Sequence, residues 1–173
     1  MITISLTVNS DTYISQSDAT LYVTANYAST DAQYIAWNAL LTGDKDARLR
    51  KATKIIDRQP IVGFKVVYNQ ILAFPRAIHT DAYGLNIPTM NLVWGNGYYV
   101  QPSPPDSVKN AQVELALDLM NGTSERDTLQ REGVKSFSVG NLSENYGSGK
   151  ANPLPYEVRE LLKEFLATSV SIS

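Results

Sequence analysis

Apolar side chains recur at three- and four-residue spacing along several stretches of this chain, and each such stretch predicts a helix. In "SQSDATLYVTANY", Ala19, Tyr22, Val23 and Tyr27 share one helical face. Ser15 stands where an N-cap belongs, with Asp18 three residues on, so a helix is expected over about 16–27. "STDAQYIAWNAL" predicts a short turn of helix carrying Tyr34, Ile35 and Trp37, capped by Ser29 or Thr30. In "TGDKDARLRKATKIIDRQP", Gly43 precedes an acidic first turn (Asp44, Asp46). Leu49, Ala52, Ile55 and Ile56 form its inward stripe, and Pro60 ends it. Arg48, Lys51, Lys54 and Arg58 take outward or flanking positions.

"PPDSVKNAQVELALDLMNG" carries the strongest helical pattern. Pro105 suits its first turn and Gly122 the position past its end. Val108, Ala111, Leu115 and Leu119 make one stripe, and Val113, Leu117 and Met120 a second. A helix apolar on two sides is central in its bundle. A last amphipathic segment, "NPLPYEVRELLKEFLATSVSIS", sets Val158, Leu161, Leu162, Phe165 and Leu166 against Arg159, Glu160, Lys163 and Glu164. Such a helix either completes its own core or docks into a partner's groove.

Between these segments the rhythm changes. Residues 1–14 are β-branched and roughly alternating, which predicts a short strand or an extended arm. Residues 61–104 are irregular by helix rules. Within them Met90, Leu92 and Trp94 alternate, Gly95-Asn96-Gly97 turn, and Tyr98 to Val100 return, which predicts a hairpin. "REGVKSFSVGNLSENYGSG" is polar, with Val134, Phe137 and Val139 giving it an extended look. The resulting expectation is one mainly α domain over residues 1–173: a small bundle of about four helices with a β-hairpin insertion and extended arms. Its parts are a helical core at 11–130 with the insertion at about 77–104, an extended arm at 131–152 and a C-terminal helix at 153–167.

Composition narrows the function. The chain has 173 residues, 43% of them hydrophobic, enough for one domain with a real core. Its net charge is -2, from 15 basic and 17 acidic side chains, which argues against a dedicated nucleic-acid binder but leaves local basic patches open. There is no cysteine, so disulfides, thiolate metal sites and a cysteine nucleophile are excluded, in keeping with a reducing cytosol. No apolar run approaches the ~20 residues a membrane span needs. "MITISLTVNS" lacks a basic n-region, so no secretory signal is expected.

Candidate chemistry is sparse. The single histidine, His79, lies near Asp81 but has no nucleophile beside it, and reads as a solvated loop residue. "GNG" lacks the lysine of a phosphate loop, and in "GSGK" the lysine is followed by Ala151 rather than Ser or Thr. "DKDARLRK" lacks the glycine and closing glutamate of a calcium loop. No enzyme, metal or cofactor is therefore expected. Arg48, Arg50, Lys51, Lys54 and Arg58 do gather five positive charges within about three helical turns, a pattern able to meet phosphates. The same charges also suit a solvated face paired with Asp44, Asp46 and Asp57.

The order of several motifs resembles a known family. "TYISQSDATLYVTANY", "ARLRKATKIIDRQPIVGFKV" and "QILAFPRA" look like the head-to-tail connector (adaptor) proteins of tailed bacteriophages. The family's Gln-to-Arg element lies at Gln70 to Arg76, its Pro-to-Ala helix at Pro105 to Ala116, and its closing arm at Val134 to Ser143. The resemblance covers about residues 11–167 and departs at 77–104, where the family often has a short loop. Similar sequences also carry the label of a DnaT-like single-stranded-DNA-binding domain, the alternative reading.

The connector resemblance implies a structural protein of the virion neck, assembled in the host cytoplasm. It implies a ring, commonly of twelve copies, that docks on the portal protein, lengthens the DNA channel and presents a platform to the next neck or tail protein. Contact with genomic double-stranded DNA would be transient. Under that resemblance Val134, Phe137, Val139, Leu142, Val158, Leu161, Leu162 and Phe165 would face the portal or a neighbouring copy. Arg131, Lys135, Arg48 and Lys51 would face the channel.

Overall fold

The computed structural model describes residues 5–79, 98–120, 136–139, 142–145 and 154–167. Among them five helices are α1 (Gln16–Asn26), α2 (Ala32–Ala39), α3 (Thr42–Ile56), α4 (Asp106–Asp118) and α5 (Tyr156–Leu162). The strands are β1 (Phe64–Lys65), β2 (Arg76–His79), β3 (Tyr98–Val100), β4 (Ser136–Val139) and β5 (Leu142–Asn145). The fold is mainly α, as the periodicity predicts.

Local chemistry accounts for the helix ends. Ser15 Oγ accepts from the Asp18 amide at 3.1 Å and so caps α1, a bond of the kind worth about 1 kcal/mol. Asp31, rather than Ser29 or Thr30, stands at the start of α2. Its carboxylate accepts from the Ala28 amide instead of capping the helix. Asp46, in the acidic first turn of α3, is buried and accepts from Gln16 Nε2 at 2.9 Å.

Helix α4 packs against α1, α3 and α5 and forms the centre of the bundle. Val108, Ala111, Val113, Leu115, Ala116 and Leu117 are all buried, which is why the sequence is apolar on two sides. Trp37 is fully enclosed and donates its indole N–H to Thr20 Oγ1 at 3.2 Å.

Among the described residues 5–14 no opening strand is formed. Residues 5–14 make a tight turn, with the Ser10 and Asp11 amides both donating to the Thr7 carbonyl and Asn9 at φ 65°. Asp11 Oδ1 accepts from the Thr7 amide at 2.6 Å and closes this turn, so short polar side chains win over β-branching here.

The expected return strand is formed. Tyr98–Val100 pairs antiparallel with Arg76–His79, in the register Ala77↔Val100, Ile78↔Tyr99 and His79↔Tyr98. Met90, Leu92 and Trp94 lie outside the described residues. His79 is therefore the end of a strand rather than a loop residue; Asp81 lies outside the described residues. Strand β1 pairs on the other side of β2, giving an antiparallel sheet in the order β1-β2-β3. Gly63 precedes it at φ +74°, and a Cβ there would overlap the Ala77 carbonyl oxygen, so the entry to the sheet demands glycine.

The arm at 131–152 contains an antiparallel pair, β4 with β5, in the register Ser136↔Asn145 to Val139↔Leu142. Within the expected extended arm these two strands satisfy each other's backbone.

The C-terminal helix is shorter than expected. After Leu162 the chain turns and runs alongside residues 60–62. Phe165 O accepts from the Val62 amide at 2.8 Å, and the Ala167 amide donates to Pro60 O at 2.7 Å. Val158, Leu162 and Phe165 are at most 6% exposed and belong to this chain's own core. That corrects their assignment to a portal or subunit interface: apolar surface already removed from water has nothing left to offer a partner.

Candidate nucleic-acid interface

The "QILAFPRA" segment is an architectural knot. Gln70 Nε2 donates to the carbonyls of Leu72 and Pro75, both at 2.9 Å, across the cis Phe74–Pro75 bond. Arg76 Nε donates to Val62 O at 2.8 Å, and its Nη2 to Ile61 O at 3.0 Å and to Gly63 O. One guanidinium therefore ties the end of α3's loop to the sheet, using its fixed fork of donors. Gln101 Oε1 completes the knot by accepting from the Arg76 amide at 2.9 Å.

Behind it, Tyr13 donates its hydroxyl to Asp57 Oδ1, while the Ala73 amide donates to Tyr13 Oη at 3.1 Å and to Asp57 Oδ2 at 3.2 Å. Burial raises the Asp57 pKa above the ordinary carboxylate range, against the pull of the Tyr13 hydroxyl, the Ala73 amide, Lys65 and Arg76. Burial likewise raises Tyr13, helped by the Asp57 charge, and lowers Arg76. The bonds among the Tyr13 hydroxyl, Asp57 and the Ala73 amide are internal, so the cluster holds the fold.

The basic positions of α3 divide into two groups. Arg48 donates to Leu119 O at the C-terminal end of α4, where a cation complements the helix dipole. Arg50 pairs with Asp11 at 2.9 Å. Both bond to other parts of the fold. Lys51, Lys54 and Arg58 remain exposed, and no described residue forms an ion pair with them. Their spacing puts them on one face of α3 and its C-terminal extension. Arg131, Val134 and Lys135 lie outside the described residues. Phe137, Val139 and Leu142 are placed only as strand positions of β4 and β5.

Past α3, the loop 64–71 exposes four large apolar side chains: Phe64, Val67, Tyr68 and Ile71. The sequence shows them as short apolar runs without a helical or strand period, and no functional residue was expected among them. Four large apolar residues without a helical or strand period were the available signal. Lys65, within the loop, lies close enough to Asp57 to pull down its carboxyl's pKa.

A second surface has the opposite character. A cleft of about 530 Å³ is lined by Tyr22, Tyr27, Glu114, Asp118, Glu157 and Val158, among others. Glu114 accepts the Tyr22 hydroxyl at 2.8 Å and the Tyr27 hydroxyl at 2.6 Å. Burial, then Glu114, raises both phenol pKa values. With three carboxylates around it, this cleft repels phosphate.

Among the described residues no group of three or more His, Cys, Asp or Glu side chains is arranged to hold a metal, and no helix is long and apolar enough to cross a membrane. The described residues thus include an exposed cationic stripe, an exposed apolar loop beyond it and an acidic cleft elsewhere. No curated protein and no solved structure matches it. A family model described as "Putative DnaT-like ssDNA binding protein" matches residues 3–173, and the chain belongs to that family.

Proposed function

We propose that the protein binds single-stranded DNA without sequence preference, laying the phosphate backbone along Lys51, Lys54 and Arg58. One observation carries this reading: in a chain of this family, these three cations share a face and make no ion pair with any described residue. Phosphate contacts need charge within reach and no particular base. The net charge of -2 keeps the binding modest, so the strand can be released.

Anisotropy of a labelled thymidine oligonucleotide, titrated with protein at several salt concentrations, tests the proposal. Three phosphate contacts on a single strand predict a slope of log K on log salt of about -2. The Lys51→Ala/Lys54→Ala/Arg58→Ala variant is expected to bind at least about ten-fold more weakly at low salt and to lose most of that slope. An unchanged slope in the triple variant would remove the assignment.

A second reading follows the phage-connector resemblance, with the protein as a ring, commonly of twelve copies, in the virion neck between the portal and the next neck or tail protein. The feature favouring it is the two-stranded β4–β5 ribbon, carried between α4 and α5. A two-stranded ribbon is marginal alone and gains stability when a neighbour packs on it or adds a strand. Mixing the purified chain with portal rings and imaging the product is expected, on this reading, to show a closed ring on the portal; free monomer only would discard it.

A further inference from the structure

We propose that the loop 64–71 is a stacking platform for unpaired bases, with Tyr68 as its main contact. This rests on the reading that α3 holds the phosphates, and it adds which form of DNA the protein selects and how. Tyr68 is 104% exposed, Ile71 67%, Val67 54% and Phe64 52%.

The exposure does not come from a loose backbone. Lys65 Nζ donates to Gln70 O at 2.9 Å and Ile71 O at 3.1 Å, the Gln70 amide donates to Val67 O at 3.0 Å, and β1 is paired with β2. The Gln70 side chain fastens the loop's far end to Leu72 and Pro75. A loop held this way loses little further backbone freedom on binding.

Charge chooses the occupant. From Arg58 to Phe74 the chain carries Arg58 and Lys65 and not one acidic side chain. Lys65 lies near Asp57, the residue next to Arg58, so the loop stands at the C-terminal end of the cationic stripe. Apolar and aromatic surface framed by positive charge suits bases hung on a phosphate backbone. A duplex, whose base faces are hidden in the stack, cannot use it.

The test compares wild type with Tyr68→Ala on a single-stranded thymidine oligonucleotide and on a duplex of equal length. Because Tyr68 is fully exposed, its removal leaves the core untouched. The variant is expected to bind the single strand about ten-fold more weakly, with its salt slope unchanged and its duplex binding unaltered. Tyrosine emission of the wild type should be quenched by the single strand, and less so in the variant. If wild type binds with the expected slope and Tyr68→Ala binds equally well, the platform is refuted while the phosphate site stands. If wild type does not bind the oligonucleotide at all, both fall. If Tyr68→Ala abolishes self-association in sedimentation and leaves DNA affinity intact, the loop is a contact between copies and the platform is refuted.

Discussion

Phe74→Ala is expected to cost the fold about 3–5 kcal/mol, the usual range for emptying a buried aromatic site. Phe74 is 2% exposed and stands at the meeting of three parts of the chain. Its ring lies edge-on to Tyr13 at 5.8 Å and to Phe165 at 5.2 Å. The first partner belongs to the segment before α1, the second to the turn after α5. Removing the ring takes away burial and two edge-to-face contacts together. The backbone bonds of residues 165–167 to 60–62 would then have to hold the C-terminus nearly unaided. Urea unfolding followed by tryptophan fluorescence measures the loss, and proteolysis near residues 163–167 should accelerate. Phe74→Leu should recover about half, since it restores much of the apolar volume. A loss below about 1 kcal/mol for Phe74→Ala would show that the C-terminal turn does not depend on this ring.

Gln112→Leu is expected to destabilise the chain by about 2–3 kcal/mol despite its greater apolarity. Gln112 is fully buried on α4. Its Oε1 accepts from the Tyr13 amide at 3.0 Å, and its Nε2 donates to Thr12 Oγ1 at 2.7 Å and Leu49 O at 3.1 Å. Leucine matches the shape but leaves the Tyr13 N–H without a partner inside the core, where water cannot replace it. Leu49 O is less affected, because Thr53 Oγ1 also donates to it at 3.0 Å. The effect should be local first: hydrogen exchange at residues 12–14 is expected to rise well before global unfolding. Unchanged protection there, with stability retained, would mean the glutamine is replaceable by packing alone.

Both residues show where reading along the chain stops. Gln112 falls on the Val108–Leu115 stripe, a polar residue on an apolar seam, and that is visible in the sequence. What it binds is not visible, because Thr12 and Tyr13 lie about a hundred residues away. The cations of α3 tell the same story. All five look alike in sequence, yet Arg48 reaches the end of α4 and Arg50 reaches Asp11, while Lys51, Lys54 and Arg58 are left to solvent. The side chains of the "QILAFPRA" segment clamp backbone carbonyls, a role with no periodic signature.

The sequence alone determined the helices, the Ser15 cap, the central place of α4 and the mainly α class. Each of these depends on residues within a turn or two of one another, through capping bonds and the 3.6-residue repeat. Only the tertiary structure decided the pairing of Tyr98–Val100 with Arg76–His79, the burial of Val158, Leu162 and Phe165 in this chain's own core, and which cations of α3 bond to other described residues. Those outcomes depend on contacts between distant segments, where an apolar stripe or a charge records what a side chain needs but not which surface supplies it.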